Sequence, residues 1–181
     1  MYTVIQQFVQ EVSSTLKLLG REEGKINTFF VESPEIAEAF LNAVKSSVTY
    51  PVLLVEYPDE TITNLGSTYR REMPFAFAVL APSGKKASGS ENTRKVIYEV
   101  CKPAADAIFS LLRTRIDSGQ LTHNGRPISM HDTVEGNWVG PLHNDLYGWR
   151  IEISLQQPGA GCYSADDWLP HPPEEEEDVE P

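Results

Sequence analysis

The longest run of helical periodicity lies between Asn92 and Ser118, where Val96, Ile97, Val100, Ala104, Ala107, Ile108, Leu111, Leu112 and Ile116 recur at steps of three and four. Arg94, Lys95, Glu99, Lys102, Asp106, Arg113 and Arg115 take the opposite face, so the spacing predicts a surface helix with its apolar stripe against a sheet. Pro103 interrupts the run. It lacks a backbone N–H and its ring crowds the preceding turn, which predicts a kink near Glu99 to Lys102 or two abutting helices. Gly119 is placed to close the helix as a left-handed cap. A first amphipathic helix is expected over Thr3 to Leu19, from Val4, Ile5, Phe8, Val9, Val12, Leu16 and Leu19, with Thr3 capping its start and Gly20 ending it. Ser33-Pro34, with Ile36, Ala37, Phe40, Leu41 and Val44 behind it, predicts a second, short helix.

The strand pattern surrounds these helices. Ile26 to Val31 reads as a short strand, and Tyr50 to Tyr57, with the unbroken apolar stretch Pro51 to Val55, as a central strand buried on both faces. Thr61 to Arg71 is either a hairpin arm or a protruding loop. Pro74 to Leu80 alternates Phe75, Phe77 and Val79 with Ala76, Ala78 and Leu80, and a polar turn over Pro82 to Gly89 delivers the chain to the long helix. Beyond that helix, Asn124-Gly125 marks a tight turn. Ile128 to Val139 and Leu146 to Gln156 then form an antiparallel hairpin, with Tyr147, Trp149, Ile151, Ile153 and Leu155 on one face of the second strand. Two antiparallel strand pairs flanking a long helix imply an α+β fold: an antiparallel sheet with the long helix and shorter helices packed on one face. The core domain is expected over residues 1–158, followed by an extended Gly, Pro and acidic segment over 159–181.

Charge and composition narrow the chemistry. A chain of 181 residues, 40% hydrophobic and 23% charged, has enough apolar surface for one globular core. The N-terminus has neither a basic start nor a small-residue cleavage site, and no apolar run reaches membrane-spanning length, so a secreted or membrane-anchored protein is not expected. The formal charge of −11 argues against a nucleic-acid reader. Glu174, Glu175, Glu176, Glu177, Asp178 and Glu180 supply six of those negatives, leaving −5 for the remainder. Cys101 and Cys162 are too few and too irregularly spaced for a disulfide scaffold or a zinc site and read as free thiols.

No motif for catalysis stands out. His131-Asp132 and His143 with Asp145 could make a general base or ligand pair, but their spacing matches no metal motif, and His123 and His171 stand apart. Ser83-Gly84-Lys85-Lys86 lacks the first glycine and the final Ser or Thr of a phosphate loop, and no Gly-x-Ser-x-Gly elbow occurs. No enzyme activity, cofactor or metal is expected. Trp138, Tyr147 and Trp149 suit cross-strand packing. Trp168, in a segment of Gly, Pro and Asp, either docks back on the domain or anchors to a neighbour.

The apolar strand PVLLVE, a variable loop, the strand FAFAVLAP, the long helix and the closing strand YGWRIEISLQ together resemble the tail-terminator and tail-completion proteins of tailed bacteriophages, over Thr3 to Pro158. The resemblance implies a non-enzymatic virion subunit that assembles in the host cytoplasm into a ring, usually a hexamer. Such a ring caps the tail tube or joins it to the neck and contacts the neighbouring tail-tube or neck proteins. It also implies DNA passing through the lumen unbound, to which an acidic chain is suited. The acidic tail is not part of the resemblance. Tyr69, Arg70, Arg71 and Glu72, in an expected loop over Asp59 to Glu72, are the candidate interface residues, with Trp138 and Trp168. Two other readings stay open: an adaptor or inhibitor whose acidic tail occupies a basic partner surface, and a small histidine-based enzyme around His131 and His143.

Overall fold

A computed structural model describes residues 1–32, 47–65, 69–84, 90–142 and 145–159. Helix α1 (Tyr2–Thr15) precedes strands β1 (Ile26–Val31), β2 (Val48–Glu56), β3 (Thr61–Asn64) and β4 (Tyr69–Pro82). A long helix follows as α2 (Ser90–Lys95), a π-helical turn (Val96–Cys101) and α3 (Lys102–Asp117). The short strands β5 (Thr122–His123) and β6 (Arg126–Pro127) then lead to the long hairpin of β7 (Ser129–Leu142) and β8 (Leu146–Gly159). The fold is α+β, as the sequence implies, with a mostly antiparallel sheet in the order β1-β2-β4-β8-β7 and β3 added to β4.

Alternation along the strands divides the sheet's two faces. Leu53 and Val55 of β2, Phe75, Phe77 and Val79 of β4, and Ile151, Ile153 and Leu155 of β8 share the main core with Ile5, Phe8, Val9 and Val12 of α1 and Ala104, Ala105, Ile108 and Leu112 of α3. The described helices therefore lie on this face. A smaller cluster on the other face joins Phe29, Val31, Val52, Leu54, Ala78 and Leu80 to Leu146. Strand β2 is buried on both faces and sits inside the sheet, in accord with its unbroken apolar run.

Several expectations need correction. Helix α1 stops at Thr15, where Leu16 turns extended (ψ 113), and Met1 rather than Thr3 stands at its N-cap. Gly20 is consequently not a helix cap. Its missing Cβ makes room for the backbone of β2: a Cβ there would lie 2.3 Å from the Tyr50 carbonyl oxygen, and its N–H donates to Pro51 O at 2.9 Å. Thr61 to Arg71 is a hairpin arm, with β3 pairing Thr61 to Glu72 and Asn64 to Tyr69. Strand β1 runs parallel to β2, a pairing that hydrophobic alternation alone does not reveal. The second short helix expected after Ser33-Pro34 lies outside the described residues.

Pro103 acts where expected and takes the form of a wide turn. The N–H of Lys102 reaches back five residues to Ile97 O, which relieves the crowding that the proline ring imposes on an ordinary α-turn. The extra residue rotates the stripe, so Ile97 and Cys101 point inward while Val100, counted among the apolar positions, is 40% exposed. Gly119 (φ 68) ends the helix as predicted, with Gln120 N–H donating to Arg115 O at 2.9 Å. Asn124 (φ 51) and Gly125 (φ 70) form the tight turn between β5 and β6.

Candidate functional site

The predicted interface residues fall on two separate parts of the sheet. Tyr69, Arg70, Arg71 and Glu72 are not in a loop: they open β4 and are paired to β3 on one side and to β8 on the other, where Arg70 meets Pro158 and Glu72 meets Gln156. The strand geometry sorts their side chains. Arg70 and Glu72 share one face and form a 2.7 Å ion pair, whereas Arg71 lies over the Tyr69 ring at 5.6 Å and bonds Glu60 at 3.3 Å. Exposed pairs of this kind contribute about 0–1 kcal/mol, so both guanidiniums can exchange these carboxylates for others at little cost.

The amino terminus and His123 adjoin Arg71 and its partner Glu60. The Met1 amine donates to His123 Nε2 at 3.0 Å, which requires a neutral ring with its proton on Nδ1. Buried Gln157 donates through Nε2 to His123 O at 2.7 Å and to Arg126 O at 3.1 Å. Partial burial lowers the pKa values of the amine and of His123 below their ordinary 8.0 and 6.5, and the amine and Arg71 depress the imidazole further. Both groups therefore bind fewer protons folded than unfolded. Their contribution is complete above the unfolded values and is lost as the pH falls through the lowered folded ones. The urea midpoint should accordingly decline from pH 8 downward, and His123→Gln should flatten the portion below pH 6.5. An unchanged slope in that variant would remove His123 from this account.

Trp138 is elsewhere. It sits on β7 opposite Trp149, which pairs in turn with Val79, nine positions along β4 from Arg70. At ~3.3 Å per strand residue the two groups are about 30 Å apart, so the fold does not bring them together. Trp149 is held between the Tyr98 ring at 5.7 Å and Lys102 Nζ at 5.2 Å, while Trp138 is 57% exposed. Trp168 lies outside the described residues, as do His143, His171 and Cys162.

The other described candidates sit in local structure. His131 Nδ1 accepts the Thr133 N–H at 3.2 Å in an irregular stretch of β7. Ser83 Oγ donates to Asp145 Oδ1 at 2.5 Å, so the hydroxyl is held by a carboxylate, which would repel a phosphate; Lys85 and Lys86 lie outside the described residues. Cys101 is fully buried and its thiol is pushed up to about 12 by desolvation, so it is an inert core residue. Among the described residues no group of three or more His, Cys, Asp or Glu side chains is placed to hold a metal ion.

Sequence reasoning missed one site. On the face opposite the helices, Arg150 of β8 reaches across β4 to Glu56 of β2 with Nε at 2.6 Å and Nη2 at 2.9 Å, and gives Nη1 to Glu152 at 2.5 Å. Beside this pair is a cavity of about 210 Å³ walled by Val31, Leu54, Ala78 and Leu142. The only signal in the sequence was the polar alternation of Arg150 and Glu152, which names no partner. No known family model matches the chain, and no curated protein matches it.

Proposed function

We propose that the chain is a non-enzymatic structural subunit of a tailed-phage virion, forming a ring at the tail end or the head-tail neck in the manner of a tail terminator. The order of elements supports this reading: an N-terminal helix, a buried apolar strand, a hairpin running into FAFAVLAP, the long helix and a closing hairpin ending in YGWRIEISLQ. Each subunit would meet its ring neighbours through the β3–β4 end of the sheet, where Arg70 and Arg71 hold exchangeable carboxylate partners. The tail-tube or neck proteins would stack on the ring, and the net negative charge would keep passing DNA from adhering.

The test is the mass of the purified protein by light scattering, with negative-stain images of the same sample. A closed ring of about six 20.2 kDa subunits is expected, formed alone or on a tail-tube template. Replacing Arg70 and Arg71 together by glutamate should abolish the ring while shifting the urea midpoint little, because the exposed pairs lost are each worth about 1 kcal/mol or less. Rings from that variant would remove the β3–β4 end from the interface, and a wild-type protein that makes no ring with or without a template would overturn the reading.

A further inference from the structure

Among the described residues strand β7 ends the sheet, and residues 131–138 of it are all exposed. Natural proteins protect such edges with bulges, lysines, prolines or covering elements. Here the irregularities lie on either side, between Met130 and Val134 and between Val139 and Leu142, and they leave Val134 to Val139 in unbroken register with β8. That segment, VEGNWV, contains no proline and no lysine, and its single charge is Glu135. Two of its apolar side chains face solvent on the helix side of the sheet, Val134 at 37% and Trp138 at 57% exposure. Such an edge is suited to receive another strand.

We infer that β7 pairs antiparallel with β7 of a second copy of this chain about a two-fold axis at Gly136. Side-chain chemistry selects both the occupant and the register. An axis at Glu135 would set the two glutamates directly against each other, and an axis at Asn137 would bury Glu135 against Val139. With the axis at Gly136, Val134 packs on Trp138 of the second copy, twice, and Glu135 faces Asn137 of the second copy, twice. The glycine adds no side chain at the crossing, where the Trp149 indole already lies 3.2 Å from the Cβ position. A two-fold contact closes on itself, so it is additional to the head-to-tail contact that a ring needs. It does not depend on the ring reading.

Light scattering over a concentration series reads the association, with Asn137→Glu as the probe. This exposed residue lies opposite Arg150 within its own subunit, so the substitution leaves the fold intact. In the pair it sets glutamate against Glu135 at two places and should weaken dimerisation by about tenfold. Adding Glu135→Lys turns both repulsions into attractions and should restore or exceed wild-type association. A wild-type protein with no two-fold association would overturn the inference, as would Asn137→Glu without effect or a double variant no better than the single one. Should rings form, Asn137→Glu should split paired rings into single rings without changing the subunit number of each, whereas loss of the ring itself would concern the β3–β4 end.

Discussion

Replacing Phe77 by alanine should lower the free energy of unfolding by about 3–5 kcal/mol, a large part of the ~5–15 kcal/mol that holds a typical domain together. Phe77 is 1% exposed at the middle of β4, paired with Val55 on one side and Ile151 on the other. Its ring packs at 5.6 Å from that of Phe75 on the same face, beneath the helices. Neighbours held in a hydrogen-bonded sheet cannot collapse into the space, so the truncation costs both the transfer energy and the cavity. For a chain of this length the melting temperature should fall by about 6–20 °C. Urea unfolding with an unchanged denaturant slope is the measurement, and Ile62→Ala, at a position 58% exposed, is the control, expected within about 0.5 kcal/mol of wild type. Equal losses in the two variants would contradict this assignment of the core.

Glu56→Ala should cost about 1–3 kcal/mol, more than any exposed pair in the molecule, because it strands a guanidinium that solvent only partly reaches. The side chains of Arg150 and Glu56 are each 24% exposed, so neither is fully solvated and neither is fully desolvated. Glu56 binds through both carboxylate oxygens and raises the pKa of Arg150 well above its already high ordinary value, with Glu152 as the second contributor. Removing Glu56 leaves Arg150 with Glu152 alone, whose own side chain is 44% exposed. Replacing the pair together, Glu56→Leu with Arg150→Met, should recover most of the loss, since the apolar cavity beside it accepts such side chains. A double-mutant cycle measures the coupling; a coupling near zero would reduce the pair to another surface contact.

The parts of this fold that could be read from the sequence are those whose information is local. β8 shows its buried face in the alternation of Trp149, Ile151, Ile153 and Leu155, and the helix over 102–117 shows its own through Ala104, Ile108 and Leu112. Gly119 and Asn124-Gly125 are legible because left-handed backbone favours those residue types. Tyr69 to Met73 gave no such signal. That arm is mostly polar and owes its extended shape to β3 and β8 on either side, so its candidate contact residues were expected in a loop. The same limit applies to Arg150: its partner Glu56 is distant in sequence and is brought close by pairing through β4. Val100 was misplaced for a different reason, since the period assumed was that of an α-helix and the turn before Pro103 is wider.

The order of pairing within the sheet also constrains how the chain can be made. β4 is complete at Pro82, yet its longest partnership, from Tyr69 with Gly159 to Pro82 with Leu146, waits for the last described strand. At a synthesis rate of ~5–20 residues per second the ribosome takes about 4–15 s to cover that interval. During it, β2 can zip onto one side of β4, while the side bearing the β8 register stays unpaired next to Phe75, Phe77 and Val79. The nascent chain therefore carries the apolar half of β4 as an open edge for seconds, and the β7–β8 hairpin, the last of the described elements to emerge, is the piece that closes it.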